Sequence, residues 1–257
     1  MWKYYDTLIK NIDDSVKIKD FAAGTYWTGL LTDDGSLGIA PSIYERYQRF
    51  PFTCEPEPGM PLREFVSSIK SWNYVESSLA LAAINAYSNR EPHVPEGAEV
   101  FPGGRRSRGV FQKFCEAHTK DKHSLFCEPM YERDETQMQN IPGIFDIIRR
   151  DEDRTYRDFV YTAYRELMPG CDQFISGGKS FVSKLAGPIF DYAVECKKDI
   201  LLWGIDVPYC EDFFDMGVSH ISAFIVDDPQ KCLNLIKRGA NREDIIRFGH
   251  FFSVDRK

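Results

Sequence analysis

The sequence predicts an α/β protein of two domains, a small antiparallel α+β unit over residues 1–104 and an α/β unit over 105–257. Three observations carry that expectation. β-patterned runs precede helical runs in the first hundred residues, whereas strands alternate with helices afterwards. Between them, Glu91-Pro-His-Val-Pro-Glu-Gly97 and Phe101-Pro-Gly-Gly-Arg105 break every periodicity, which places a linker near Gly104. A chain of 257 residues with 43% hydrophobic and 28% charged residues can also fill two modest cores.

Each element follows from local pattern. Trp2 to Ile12 has helical spacing; Val16 to Ala22 and Tyr26 to Thr32 read as strands joined through Gly24-Thr25, and Asp33-Asp34-Gly35 turns the chain into Leu37 to Ala40. After the Pro-rich loop Pro51 to Pro61, helices over Leu62 to Ile69 and Asn73 to Asn89 cover one face of that sheet. In the second unit Gly109 to Phe114, Ser124 to Cys127, Gln173 to Ser176, Ile200 to Trp203, Ile221 to Val226 and Ile245 to Phe252 read as strands. Tyr156 to Leu167, Phe181 to Glu195 and Gln230 to Lys237 read as helices. The connection from Phe114 to Ser124 is too short for a comfortable crossover helix, so it is abbreviated or those strands pair in another way.

The most informative stretch is Ser71 to Asn89, a largely apolar helix whose one charge is Glu76. A helix with so little charged face is buried, and a buried carboxylate needs a reason. At about 100° per residue, Asn73, Glu76, Ala80, Ala83 and Tyr87 share a stripe whose small members admit another backbone or a ligand. Asn73 and Glu76 are also spaced as a capping box, so a purely structural account stands beside a role in acid–base chemistry.

Trp72-Asn-Tyr-Val-Glu76 followed by Leu81-Ala-Ala-Ile-Asn-Ala86 resembles the signature of the putative heavy-metal chelation family. The resemblance extends to Gly24-Thr25, Pro61-Leu-Arg63, Pro169-Gly-Cys-Asp172, Gly204 with Pro208, and Phe213-Phe-Asp-Met-Gly217 leading to Ala223-Phe-Ile-Val-Asp227. It implies an enolase N-terminal-like domain joined to a Rossmann-like domain, and a role around metal chelation without a settled reaction.

In an open α/β sheet ligands gather at the carboxyl ends of strands, which directs attention to Ser176-Gly-Gly-Lys-Ser180 and Gly204-Ile-Asp-Val-Pro208. Gly177 and Gly178 permit close approach, and Lys179 with a helix starting near Ser180 would favour an anion. A Gly-rich turn with Ser180 as N-cap accounts for the same residues. Asp206 is a secondary candidate for an amine, a metal ion or a proton, and Thr25 is carried as a ligand-binding position.

Cys115, His118, His123 and Cys127 offer four zinc-type ligands within a short segment, although Cys127 reads as a buried strand residue. A divalent metal ion is therefore the one cofactor the residues suggest. His220, His250 and His93 read as structural or loop histidines. No Gly-x-Gly-x-x-Gly loop follows the first strand of the second unit, which weakens a nucleotide-binding or methyltransferase reading.

A net charge of −7 and a pI near 5.3 argue against a nucleic-acid surface, and the run Arg105-Arg106-Ser-Arg108 reads as a solvated linker. No apolar run is long enough to cross a bilayer, and seven scattered cysteines suit reduced thiols, so a cytoplasmic protein is expected. The expected partner is a small molecule or metal chelate, with self-association open. Glu76 and Asn73 would then act at an interdomain cleft on a pterin-, flavin- or siderophore-like chelator; a non-catalytic metal or metal-chelate binder is the alternative.

Overall fold

The structure is a computed structural model in which residues 1–43, 50–101, 108–128, 142–150 and 158–257 are described. Two sheets organise it. The first is an antiparallel meander of β1 (Ile18–Ala23), β2 (Trp27–Thr32) and β3 (Leu37–Pro41), its β2–β3 turn closed by Gly35 at φ +91°. The chain opens with helix α1 (Lys3–Lys10), and α2 (Leu62–Phe65) runs into a 3-10 turn over Val66–Lys70, splitting the single helix expected there.

Helix α3 (Tyr74–Ser88) lies directly on β3. A Cβ at Gly38 would fall 1.9 Å from the Ala82 carbonyl oxygen and 2.2 Å from the Ala86 nitrogen, so helix and strand meet backbone to backbone. The small residues of α3 thus admit β3. Asn85 then bridges the two units, its Nδ2 donating to Ile39 O at 2.6 Å and to Asp206 O at 2.9 Å. Asn89 repeats the device, donating to Val207 O and accepting from Tyr209 N.

The second sheet has the order β4-β11-β10-β9-β8-β5-β6-β7. Its strands are β4 (Glu99–Phe101), β5 (His123–Cys127), β6 (Ile144–Arg149), β7 (Phe159–Val160), β8 (Gln173–Ser176), β9 (Asp199–Trp203), β10 (Val218–Val226) and β11 (Gly249–Asp255). β5 to β10 run parallel, and β11 and β4 close one edge antiparallel. From β5 the chain steps outward to β6 and β7, then returns to the far side of β5 for β8, β9 and β10, so the winding direction reverses between β5 and β8.

Several expectations are corrected. Gly109 to Phe114 is not a strand but the body of α4 (Arg108–His118), because Val110, Phe111, Phe114 and Cys115 fall on one helical face and are buried together. That removes the short-crossover problem: the helix leads directly into β5. Strand β6 was missed, since Asp146 interrupts the run Ile-Phe-Asp-Ile-Ile-Arg. Glu99–Phe101, not read as a strand, is β4 and pairs with β11. The helix expected over Phe181 to Glu195 breaks into α6 (Lys179–Val182) and α7 (Ala186–Glu195) at Lys184, whose φ is +65°. Of the helix expected from Tyr156, residues 156 and 157 lie outside the described residues, Phe159–Val160 is β7, and α5 covers Tyr164–Leu167. The stretch read as a strand from Ile245 begins as α10 (Arg242–Ile245) and becomes β11 at Gly249. Arg105 and Arg106 lie outside the described residues.

Two apolar clusters sandwich the larger sheet. On one face Phe174, Leu202 and Ile221 pack with Phe181, Phe190 and the tyrosines of α1, Tyr4 and Tyr5. On the other, Phe126, Ile175, Trp203 and Phe251 pack with α4 and with α9 (Pro229–Lys237). α8 (Asp212–Asp215) precedes β10. Among the described residues no helix is long and apolar enough to cross a membrane.

Candidate functional site

The winding reversal leaves a crevice at the carboxyl ends of β5, β8 and β9, where open α/β sheets bind ligands. The sequence-predicted residues Ser176, Gly177, Gly204 and Asp206 line a narrow cavity there with Cys127, Arg242 and the rings of Trp27, Phe111, Phe126 and Trp203. Asp206 is 1% exposed, and its Oδ2 has no hydrogen-bond partner among the described residues. Burial pushes its carboxyl up to about 6, opposed by backbone amides of Gly178, Asp206 and Lys179 and by the charge of Arg242.

Those amides revise the anion-loop expectation. The Gly177-Gly178 turn folds around the protein's own carboxylate: a Cβ at Gly178 would lie 2.0 Å from Asp206 O and 2.9 Å from its carboxyl carbon. Ser180 is not the helix cap; its hydroxyl donates to Gly177 O at 2.8 Å and is fully buried. Lys179 turns away to Glu128, with Nζ 2.8 Å from Oε2. Thr25 is exposed with its hydroxyl toward Gly239 and does not line the cavity.

Beside the cavity lies a second buried polar group, most of which sequence reasoning missed. Glu128, at φ +51° and fully buried, accepts from Arg150 N at 2.7 Å as well as pairing Lys179. The Arg150 guanidinium stands 5.3 Å from the Tyr74 ring centroid, and Lys184 Nζ lies 5.8 Å from the same ring. Lys184 is 3% exposed and donates to Ser77 Oγ at 2.6 Å and Val182 O at 2.9 Å. Burial pulls its ammonium down to about 7 against the opposing charge of Glu76. Of the four non-glycine residues with positive φ among the described residues, Asp121 and Lys197 are exposed turn residues, whereas Glu128 and Lys184 are buried charges. A charged residue after a strand whose next residues hold no glycine gave the only sequence hint.

Asn73 and Glu76 are brought together, but in a structural arrangement. Asn73 Oδ1 caps α3 by accepting from Val75 N and Glu76 N, and its Nδ2 donates to Phe50 O. Glu76 Oε1 accepts from Thr53 N, Thr53 Oγ1 and Cys54 N, while Ser71 Oγ donates to Oε2 at 2.5 Å. The carboxylate that looked like a catalyst thus ties the 53–54 loop to the helix start. The neighbour that reaches it from the second unit is the charge of Lys184, rather than the turn at Gly177 to Ser180.

The four expected zinc ligands do not converge. Cys127 stands at the far end of β5 from His123, about 13 Å away at strand rise, and Cys115 is buried in α4 with its thiol pushed up to about 12 by desolvation. His123 instead pairs with Asp146, 2.9 Å away, with Cys171 nearby, and His118 joins His220 and Asp255. Both groups sit at the amino edge of the sheet. His220, read from the sequence as a structural histidine, is bonded at both ring nitrogens, to Asp255 and Ser222; the period-two pair His220 and Ser222 on one face of β10 is the sequence signal for this grouping.

Two family models, both described as putative heavy-metal chelation, match residues 5–88 and 127–254, together well over half of the chain. No match was found among the curated proteins. A structure from Desulfitobacterium hafniense DCB-2, of a protein with unknown function from the DUF364 family, is similar at 24% identity and TM-score 0.78, over 99% of this chain and 97% of that one. Another of that family, from Pyrococcus horikoshii, shares 21% identity at TM-score 0.74, over 98% and 97% of the two chains. These likenesses show the same fold, with its small antiparallel sheet and larger mostly parallel one. By the matched segments, which include the α3 helix and the crevice strands β8 and β9, the chain belongs to the putative heavy-metal chelation family.

Proposed function

We propose that the protein binds a small chelating molecule at the carboxyl edge of the larger sheet and moves a proton on it through Asp206. The observation that carries this reading is the buried Asp206 Oδ2, without a partner among the described residues and facing an aromatic-lined cavity at the winding reversal. A desolvated carboxyl held near 6 exchanges its proton close to neutrality, as a general acid or base requires. Four aromatic rings favour a flat ligand, and an orphan acceptor favours one that presents an N–H or O–H edge. The cavity is narrow, so the reacting edge rather than the whole ligand reaches Asp206.

A pterin-, flavin- or catechol-bearing chelator meets these requirements. The Rossmann-like reading of the second unit supports the site's location through its strand order, and the first unit adds Trp27 of β2 to the lining. Asn85 of α3 holds the Asp206 carbonyl from behind, and Asn73 and Glu76 fix the start of that helix. Ser176, Gly177 and Gly204 shape the floor, and Arg242 brings a positive charge beside Asp206.

Thermal-shift titration with a soluble pterin, flavin mononucleotide and a catecholate tests the reading. At least one should raise the melting temperature of the purified protein, and Asp206→Asn should abolish that shift while its circular dichroism stays unchanged. No stabilisation by any of the three, or an undiminished shift in the variant, would dismiss it.

A further inference from the structure

The amino edge of the larger sheet carries a constellation independent of the Asp206 cavity. We infer that His118, His220 and Asp255 bind a divalent first-row transition ion of the zinc or nickel class. Their ligand atoms lie within 4.8 Å of one another, supplied by three separate elements: the end of α4, the start of β10 and the end of β11. Two imidazoles and one carboxylate form a borderline donor set that suits such ions better than calcium or magnesium.

The sheet register builds the site. His220 faces Asp255 and Ser222 faces Ser253 across β10 and β11, and the His118 ring centroid lies 4.2 Å from that of His220, the planes tilted by 53°. His220 Nδ1 lies 2.7 Å from Asp255 Oδ1; the ion takes the place of the proton between them. The ring proton then resides on Nε2, which donates to Ser222 Oγ at 2.8 Å, and Ser222 lies 2.5 Å from Ser253 Oγ. A ligating histidine characteristically has its other nitrogen held in this way. His118 has no side-chain hydrogen bond among the described residues and lies against the rings of Phe114 and His220, so its imidazole nitrogens are open to an ion.

A groove lined by Glu99, Phe101, Phe114 and Lys113 opens onto these three residues, and the Asp255 side chain is 73% exposed, so an ion has a route in.

Two rival readings are weaker. Asp255, His220 and Ser222 follow the order of a nucleophilic triad, but Ser222 is 2% exposed in mid-strand, with its hydroxyl bound to Ser253. The neighbouring His123, Asp146 and Cys171 group holds a thiol pushed up to about 11 by burial, and that thiol donates to Leu167 O.

The test uses tag-free, chelator-washed protein titrated with Zn(II) by calorimetry and with Co(II) by visible absorption. About one ion per chain should bind, with Co(II) bands of a nitrogen–oxygen site lacking thiolate charge transfer. His118→Ala and Asp255→Asn should each weaken binding by at least about tenfold, while Cys171→Ser should leave it unchanged. Circular dichroism of each variant establishes that it is folded; Asp255→Asn, at an exposed position, keeps the test available should His118→Ala misfold. Absence of binding to the wild-type protein, undiminished affinity in folded His118→Ala or Asp255→Asn, or loss in Cys171→Ser would each overturn the assignment.

Discussion

Replacing Lys184 by Met should stabilise the protein near neutral pH and remove a defined part of its pH dependence. Lys184 is nearly fully buried, and desolvation lowers its pKa from 10.5 to about 7 despite the opposing charge of Glu76. The unfolded chain therefore binds more protons than the folded one between these values, and stability rises with pH across that window. The charged form is resisted most below about 7, and the penalty fades as pH approaches the unfolded value. For a shift of this size the lysine adds about 1.5 kcal/mol of stability between about pH 7 and 8.5. That interval stops short of the range where buried Cys115, Cys210 and Cys232, with thiols pushed up to about 12, add an opposite slope.

Met fills the aliphatic path, and Ser77 Oγ keeps its own bond to Ile69 O after losing the ammonium. Urea unfolding of both proteins at the two pH values yields a double difference that isolates this group. Wild-type stability should rise relative to the variant by about 1.5 kcal/mol. Parallel pH profiles would show that Lys184 is not held below its ordinary pKa, and the buried-charge account of this cluster would fall.

Asp206 has the opposite sign: its pKa is raised from 3.8 to about 6, so its contribution is fully present below about 4 and is lost as pH rises through 6. The loss is about 3 kcal/mol, and chemical denaturation of Asp206→Asn should lack it. Glu76→Gln should keep the fold and cost about 1–3 kcal/mol in urea unfolding, because an amide oxygen retains the Thr53 and Cys54 amides but forfeits charge-assisted bonds. A Glu76→Gln protein with unchanged stability would show that the carboxylate does not anchor the 53–54 loop. Gly38→Ala should cost several times more than an ordinary Gly→Ala change, on the order of 3 kcal/mol or above, since its methyl would overlap the α3 backbone; thermal melting measures it.

Local pattern determined much of the architecture: the meander from Val16 to Ala40 alternates about glycine and aspartate turns, and the apolar α3 announces its own burial. The same pattern misassigned Gly109 to Phe114, because a short apolar run satisfies strand and helix templates alike until its length and packing are known. Asn73 was legible as a cap, since capping depends only on residues three apart. The rest was decided by tertiary structure. Whether Glu76 meets a substrate or the 53–54 loop depends on what the fold brings over the helix start, and the loop fills it. Asp206 is enclosed only because the Gly177-Gly178 turn closes over it, with Oδ2 left without a partner among the described residues. His118 left its sequence neighbours for His220 and Asp255 because a five-residue strand separates His123 from Cys127, while pairing of β10 with β11 joins residues 35 apart. Spacing along the chain specifies ligands when they share a turn or helix; when strands supply them, sheet register decides which side chains meet.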